Sequence, residues 1–117
     1  MILVLGGAAA GKLSYVKSLG YTDADVADGE LDSKPVLYNL QKIVFANPGA
    51  ADGLAGLLSA KAVVICDEVG SGVIPVSRGE RLYREAVGRL CIRLAERAER
   101  VVRVVAGIPA VIKETSN

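Results

Sequence analysis

Five apolar residues, a turn of glycine and alanine, and a lysine open the chain: Met1 to Leu5 (MILVL), then Gly6 to Ser14 (GGAAAGKLS). A short unbroken apolar run suits a β-strand covered on both faces, not one that alternates between core and water. Lys12 to Leu19 reads as a short helix closed by Gly20. Strand, tight turn and helix in that order restrict the domain to folds in which helices cross back over a parallel sheet. The rhythm recurs downstream. Ala24 to Ala27 is a brief strand ending at Asp28-Gly29, Ala62 to Cys66 (AVVIC) is the clearest buried strand, and Val101 to Ala106 (VVRVVA) is the last long one. Between them, Pro35 suits a first helical turn ahead of the stripe Val36, Leu37, Leu40, Ile43 and Val44, and Asn47-Pro48-Gly49 stops it. A second helical piece is expected from Ala51 to about Ala60, and the best helix runs from Glu80 to Glu99. Its stripe is Leu82, Tyr83, Ala86, Val87, Leu90, Leu94 and Ala98, with Arg81, Glu85, Arg89, Glu96 and Arg100 opposite, spaced for i,i+4 ion pairs. Gly107 and Pro109 are expected to end the last strand before a short tail.

At 117 residues the chain suits one domain, 1–117, with no repeat or linker to divide it. With 4% aromatics and no Trp, its core has to be aliphatic. There is no histidine, which removes Ser-His-Asp and Cys-His catalysis, imidazole zinc sites and any intermediate carried on a histidine. A net charge of +1 argues against a nucleic-acid partner. The charge is uneven, though: all eight arginines lie between Arg78 and Arg103, against four glutamates there. That block reads either as a solvated, ion-paired helix or as arginines reaching an anionic ligand or a neighbouring subunit. Cys66 and Cys91 are too few for a disulfide framework and read as small buried hydrophobes. No apolar stretch approaches the roughly 20 residues of a membrane span, and no signal-like segment precedes Met1-Ile2. These features point to a cytoplasmic, soluble protein without a membrane partner.

The chemistry concentrates in Gly6-x-x-x-x-Gly11-Lys12, a phosphate-binding loop short of its final Ser/Thr. Small residues let successive backbone N–H groups turn inward around a phosphate, and the helix start adds a favourable dipole. The reading is therefore a three-layer α/β P-loop nucleotide-binding fold. Gly6, Gly7, Ala8, Ala9, Ala10, Gly11, Lys12, Leu13 and Ser14 would line the nucleotide, and Lys12 would reach its β- and γ-phosphates. The expected cofactor is Mg²⁺ with ATP or GTP. Leu13 stands where the motif has the hydroxyl that binds Mg²⁺, and Ser14 is turned about 100° further round the helix. A water can fill that coordination position. Asp67 and Asp28, each after a strand, are the candidate metal carboxylates, and Glu68 the candidate base beside Lys12.

Three further strings carry a resemblance: Glu68 to Pro75 (EVGSGVIP), Arg81 to Arg89 (RLYREAVGR) and Val105 to Pro109 (VAGIP). With the opening GGAAAGK they resemble the adenosylcobinamide kinase / adenosylcobinamide-phosphate guanylyltransferase family, whose loop reads G-G-A-x-x-G-K-S. The resemblance covers about two-thirds of the chain and fades between Tyr21 and Lys61, where this chain is much shorter than usual members. It implies a P-loop kinase fold, homo-oligomers (trimers in the bifunctional enzymes) and a place in cobalamin biosynthesis and salvage. The family phosphorylates the aminopropanol hydroxyl of adenosylcobinamide, then transfers GMP through a guanylylated histidine. A chain without histidine cannot take that second route. Two expectations follow: a kinase acting on adenosylcobinamide, or a non-catalytic nucleotide- or corrinoid-binding module of the same pathway.

Overall fold

The computed structural model describes residues 1–69 and 77–115. Five parallel strands and one antiparallel strand form a single sheet in the order β2-β3-β4-β1-β5-β6. They are β1 (Ile2–Gly6), β2 (Val26–Asp28), β3 (Val36–Tyr38), β4 (Val63–Asp67), β5 (Arg100–Val105) and β6 (Ile108–Glu114). Helices α1 (Lys12–Ser18), α2 (Leu40–Ala46), α3 (Ala55–Leu58) and α4 (Arg78–Arg97) flank it. The α/β class expected from the apolar runs is the class observed. One core cluster packs Leu3, Val64 and Cys66 against Leu40, Val44, Leu90 and Leu94, and the other packs Val4, Ile65, Val102 and Val104 against Val16.

Three segments differ from the sequence reading. The helix led by Pro35 starts only at Leu40, because Val36, Leu37 and Tyr38 form β3. Val36 and Leu37 are wholly buried, and the Pro35 carbonyl accepts from the N–H groups of Ala62 and Val63 at 3.0 and 3.2 Å, tying this run to β4. The stretch 51–60 is not one helix: it takes the end of a 3₁₀ turn, Pro48–Gly53, and then only the short α3. Beyond Gly107 the chain forms β6, not a tail. Ala106 and Gly107 both take left-handed backbone (φ 50° and 77°), the conformation of a two-residue hairpin turn, and Pro109 sits on an edge strand where its missing N–H does no harm. Ahead of β2, Asp23–Asp25 is a 3₁₀ turn capped by Thr22.

Helix α4 begins at Arg78 because the Ser77 hydroxyl accepts from the Glu80 N–H at 3.0 Å. Lys113 Nζ donates to the Ala95 and Glu96 carbonyls at its far end. Ala86, Val87, Leu90, Leu94 and Ala98 are buried as expected, whereas Leu82 is exposed. The arginines pair mostly off their own helix: Arg89 and Arg93 reach Asp52, while Glu80 and Arg84 form an i,i+4 pair.

Candidate functional site

Parallel strands end on one edge of a sheet, and here Gly6, Asp28, Tyr38 and Asp67 all lie at that edge. Gly6 is in register with Asp67, so the loop after β1 starts beside the end of β4. Within it, Ala9 (φ 57°) and Gly11 (φ 96°) take left-handed backbone, and the Ala10 N–H donates to the Gly7 carbonyl at 3.2 Å. The β5–β6 turn braces this loop: the Gly107 N–H donates to the Ala10 carbonyl at 2.8 Å. Residues 9–14 and Tyr38 surround a cavity of about 230 Å³.

Lys12 is 4% exposed, donates to the Gly7 carbonyl and pairs with Asp67 Oδ1 at 2.7 Å. The loop lysine and the strand-end acid singled out separately in the sequence therefore meet. Leu13 lines the cavity with Ser14 and also packs against the Val16 cluster.

Asp28 is placed differently. It ends the edge strand β2, two strands from β4. Its carboxylate does not join the Lys12–Asp67 pair directly. Instead Asp28 Oδ1 accepts from Asn39 Nδ2 at 2.7 Å, Asn39 Oδ1 accepts from Gln41 Nε2 at 3.0 Å, and Gln41 Oε1 accepts from the Asp67 N–H at 3.0 Å. Both amides are 8% exposed. Among the described residues no three His, Cys, Asp or Glu side chains gather as a metal site. The Asp67 carboxylate, beside Lys12, offers an oxygen of the kind Mg²⁺ takes together with phosphate and water.

Glu68 is held by Arg103, with Oε1 to Nε at 2.7 Å and Oε2 to Nη2 at 3.0 Å, and its own N–H donates to the Gly6 carbonyl at 2.8 Å. The hydrogen bond from Arg103 to Glu68 raises the guanidinium pKa further. On this face a second cavity, about 250 Å³, is lined by Leu5, Asp67, Glu68, Val69, Val87 and Cys91. Gly70 to Pro75, the rest of the EVGSGVIP string, lies outside the described residues. Cys66 is buried as expected, but Cys91 is half-buried. Cys66 Sγ donates to the Asp67 carbonyl at 3.4 Å; the Cys91 thiol beside it, together with burial, pushes Cys66 well up, and Cys66 in turn draws Cys91 down.

Residues 50–112, more than half of the chain, match the family described as cobinamide kinase / cobinamide phosphate guanyltransferase. The chain belongs to this family. It is similar to the bifunctional adenosylcobalamin biosynthesis protein CobU of Salmonella typhimurium and to that of Escherichia coli, each at 44% identity over 54 residues, or 46% of this chain and 30% of that protein. It is also similar to CobP of Pseudomonas aeruginosa, at 38% over 58 residues, or 50% of this chain and 34% of that protein. The matched segment thus spans about a third of the curated relatives it matches. The family match takes in Asp67, Glu68, α4, Arg103 and Gly107, while the loop at 6–14 precedes it. No described helix is long and apolar enough to cross a membrane.

Tyr38, Asn39, Gln41 and Arg103 were not singled out in the sequence. The two amides interrupt an apolar stripe at Asn39 and Gln41, a signal in principle. Arg103 has only the signal of the arginine block it closes, since its own partner is 35 residues away.

Proposed function

We propose that this chain is a nucleoside triphosphate-dependent kinase of cobalamin biosynthesis, using ATP or GTP with Mg²⁺ to phosphorylate the side-chain hydroxyl of adenosylcobinamide. The observation that carries the reading is the Lys12–Asp67 pair, set between the loop cavity on one face and the Glu68 cavity on the other. Backbone N–H groups of residues 7–12 bind the phosphate oxygens, and Lys12 transfers its ammonium from Asp67 and the Gly7 carbonyl to the β/γ bridge. Mg²⁺ held with the nucleotide supplies charge neutralisation at the transferring phosphate. Asp67 would hold that cation, and Glu68, with Arg103 fixing its carboxylate, receives the acceptor's hydroxyl proton as the acceptor oxygen bonds to the γ-phosphorus and the nucleoside diphosphate leaves. The histidine-borne guanylyl step implied by the resemblance has no imidazole in this chain.

A second reading, a non-catalytic nucleotide- or corrinoid-binding module, is favoured by Leu13, which offers a cation no oxygen. Labelled ATP or GTP, incubated with the chain with and without adenosylcobinamide, separates the two. Phosphorylated corrinoid supports the kinase, and triphosphate binding without turnover supports the module. Lys12→Ala is expected to weaken triphosphate binding far more than nucleoside binding. Undiminished triphosphate affinity in that variant, by calorimetry, overturns the phosphate-loop assignment.

A further inference from the structure

β3 pairs with β4 through Val36↔Val63 and Leu37↔Val64, and the pairing stops there. Asp67 lies three residues beyond Val64, past the last paired position, and its N–H finds the Gln41 side chain. An N–H is a donor only, so Gln41 has to present Oε1 to it. Its amide nitrogen then faces Asn39 Oδ1, and the Asn39 nitrogen faces a carboxylate. Every group in the series has the one orientation that satisfies its neighbour, and reversing either amide would place like against like. The backbone helps to aim it: Asn39 takes φ 60° and ψ 50°, a left-handed conformation that asparagine tolerates better than most residues. The series is buried at both amides and ends at Asp28, whose side chain is 57% exposed and lies 3.7 Å from Lys42.

We infer that Gln41 and Asn39 are positioning residues, anchored by Asp28, that fix the Asp67 main chain and through it the carboxylate paired with Lys12. Asp28 is then the anchor of a relay and not a ligand of the nucleotide's cation. This rests on the proposed function for its consequence, but the relay itself is testable without nucleotide. A partner that orients a metal-binding group is typically worth about 10- to 100-fold in metal affinity.

The test uses Gln41→Met, Asp28→Ala and the double variant, with two measurements. The first is the ¹⁵N–¹H resonance of Asp67 in the full chain without ligand. Asp28→Ala, a surface change, is expected to move it across two intervening side chains, and an unmoved Asp67 resonance overturns the relay. The second is the tightening of ATP or GTP binding on adding Mg²⁺. Gln41→Met is expected to reduce it by about 10- to 100-fold. Asp28→Ala should reduce it by less, and should have no further effect in the Gln41→Met background. Additive losses would make Asp28 an independent ligand and overturn the inference. Should the wild-type chain bind no triphosphate, the kinase reading falls and the Asp67 resonance alone decides the relay. The same resonance in Asp28→Ala decides it if Gln41→Met does not fold.

Discussion

Replacing Gly6 with alanine places a methyl group 2.5 Å from the Val104 carbonyl oxygen, where ordinary contacts begin at 3.4 Å. The obstacle is backbone, and Gly6 and Val104 are paired across β1 and β5, so neither strand can give without breaking the ladder. Overpacking of this kind costs about 3 kcal/mol, the upper end of the usual range. For a domain of this size that lowers Tm by about 12 °C, at about 4 °C per kcal/mol. Gly7→Ala, one residue along, meets nothing within 4 Å and is expected to change stability by less than about 0.5 kcal/mol. Gly11→Ala is costly for a different reason. Its φ of +96° strains any side chain by about 1–2 kcal/mol, and the new methyl would lie 3.2 Å from Gly107 Cα, pressing on the turn that braces the loop. Urea unfolding and thermal melts of the three variants, followed by triphosphate titration of those that fold, check the series. A Gly6→Ala protein as stable as wild type, or a Gly7→Ala protein as damaged as Gly6→Ala, would refute the reasoning.

Leu13→Ser restores an oxygen to the loop and is expected to tighten Mg²⁺-dependent nucleotide binding by about 10- to 100-fold, measured across a Mg²⁺ titration. Because Leu13 also packs against the Val16 cluster, the same variant should lose about 1–2 kcal/mol of stability by urea unfolding. Of the two thiols, Cys91 is expected to alkylate first in the native protein as pH rises, since the neighbouring Cys66 thiol lowers its pKa while Cys66 is raised and buried. Removing that thiol in Cys66→Ala should shift the Cys91 reaction midpoint to higher pH; an unchanged midpoint, followed by iodoacetamide labelling and mass spectrometry, refutes the coupling.

The parts of the fold that the amino-acid pattern made legible are those whose cause is local. MILVL and AVVIC are apolar throughout because both faces of β1 and β4 are covered, and α4 shows its buried stripe because one side of it meets the sheet. Val36 to Val44 reads as a single helix, against the strand and helix observed, for a physical reason. A three-residue strand leading through one left-handed asparagine into a helix presents the same apolar positions as a longer helix, and the choice is made by the Pro35 carbonyl bonding residues 62 and 63. The strand β6 was hidden because Gly107 and Pro109, ordinary breakers, serve here as a hairpin turn and an edge position.

The candidate site divides along the same line. Lys12 and Asp67 were readable as chemistry, since a glycine loop needs its lysine and a strand-end carboxylate sits at the ligand edge. Their meeting was not readable, because it depends on β4 lying next to β1, a matter of strand order. Asp28 shows the converse. As a carboxylate after a strand it had the same local credentials as Asp67, yet strand order carries it to the edge of the sheet, where Asn39 takes its oxygen. Glu68 was readable as a carboxylate after a strand, while the Arg103 that fixes it comes into view only once β5 is placed beside β1. Which groups the chain possesses is written residue by residue. Which of them meet is set by the order of the six strands, and it is that order which makes Lys12 and Asp67 a pair and carries Asp28 to the sheet edge.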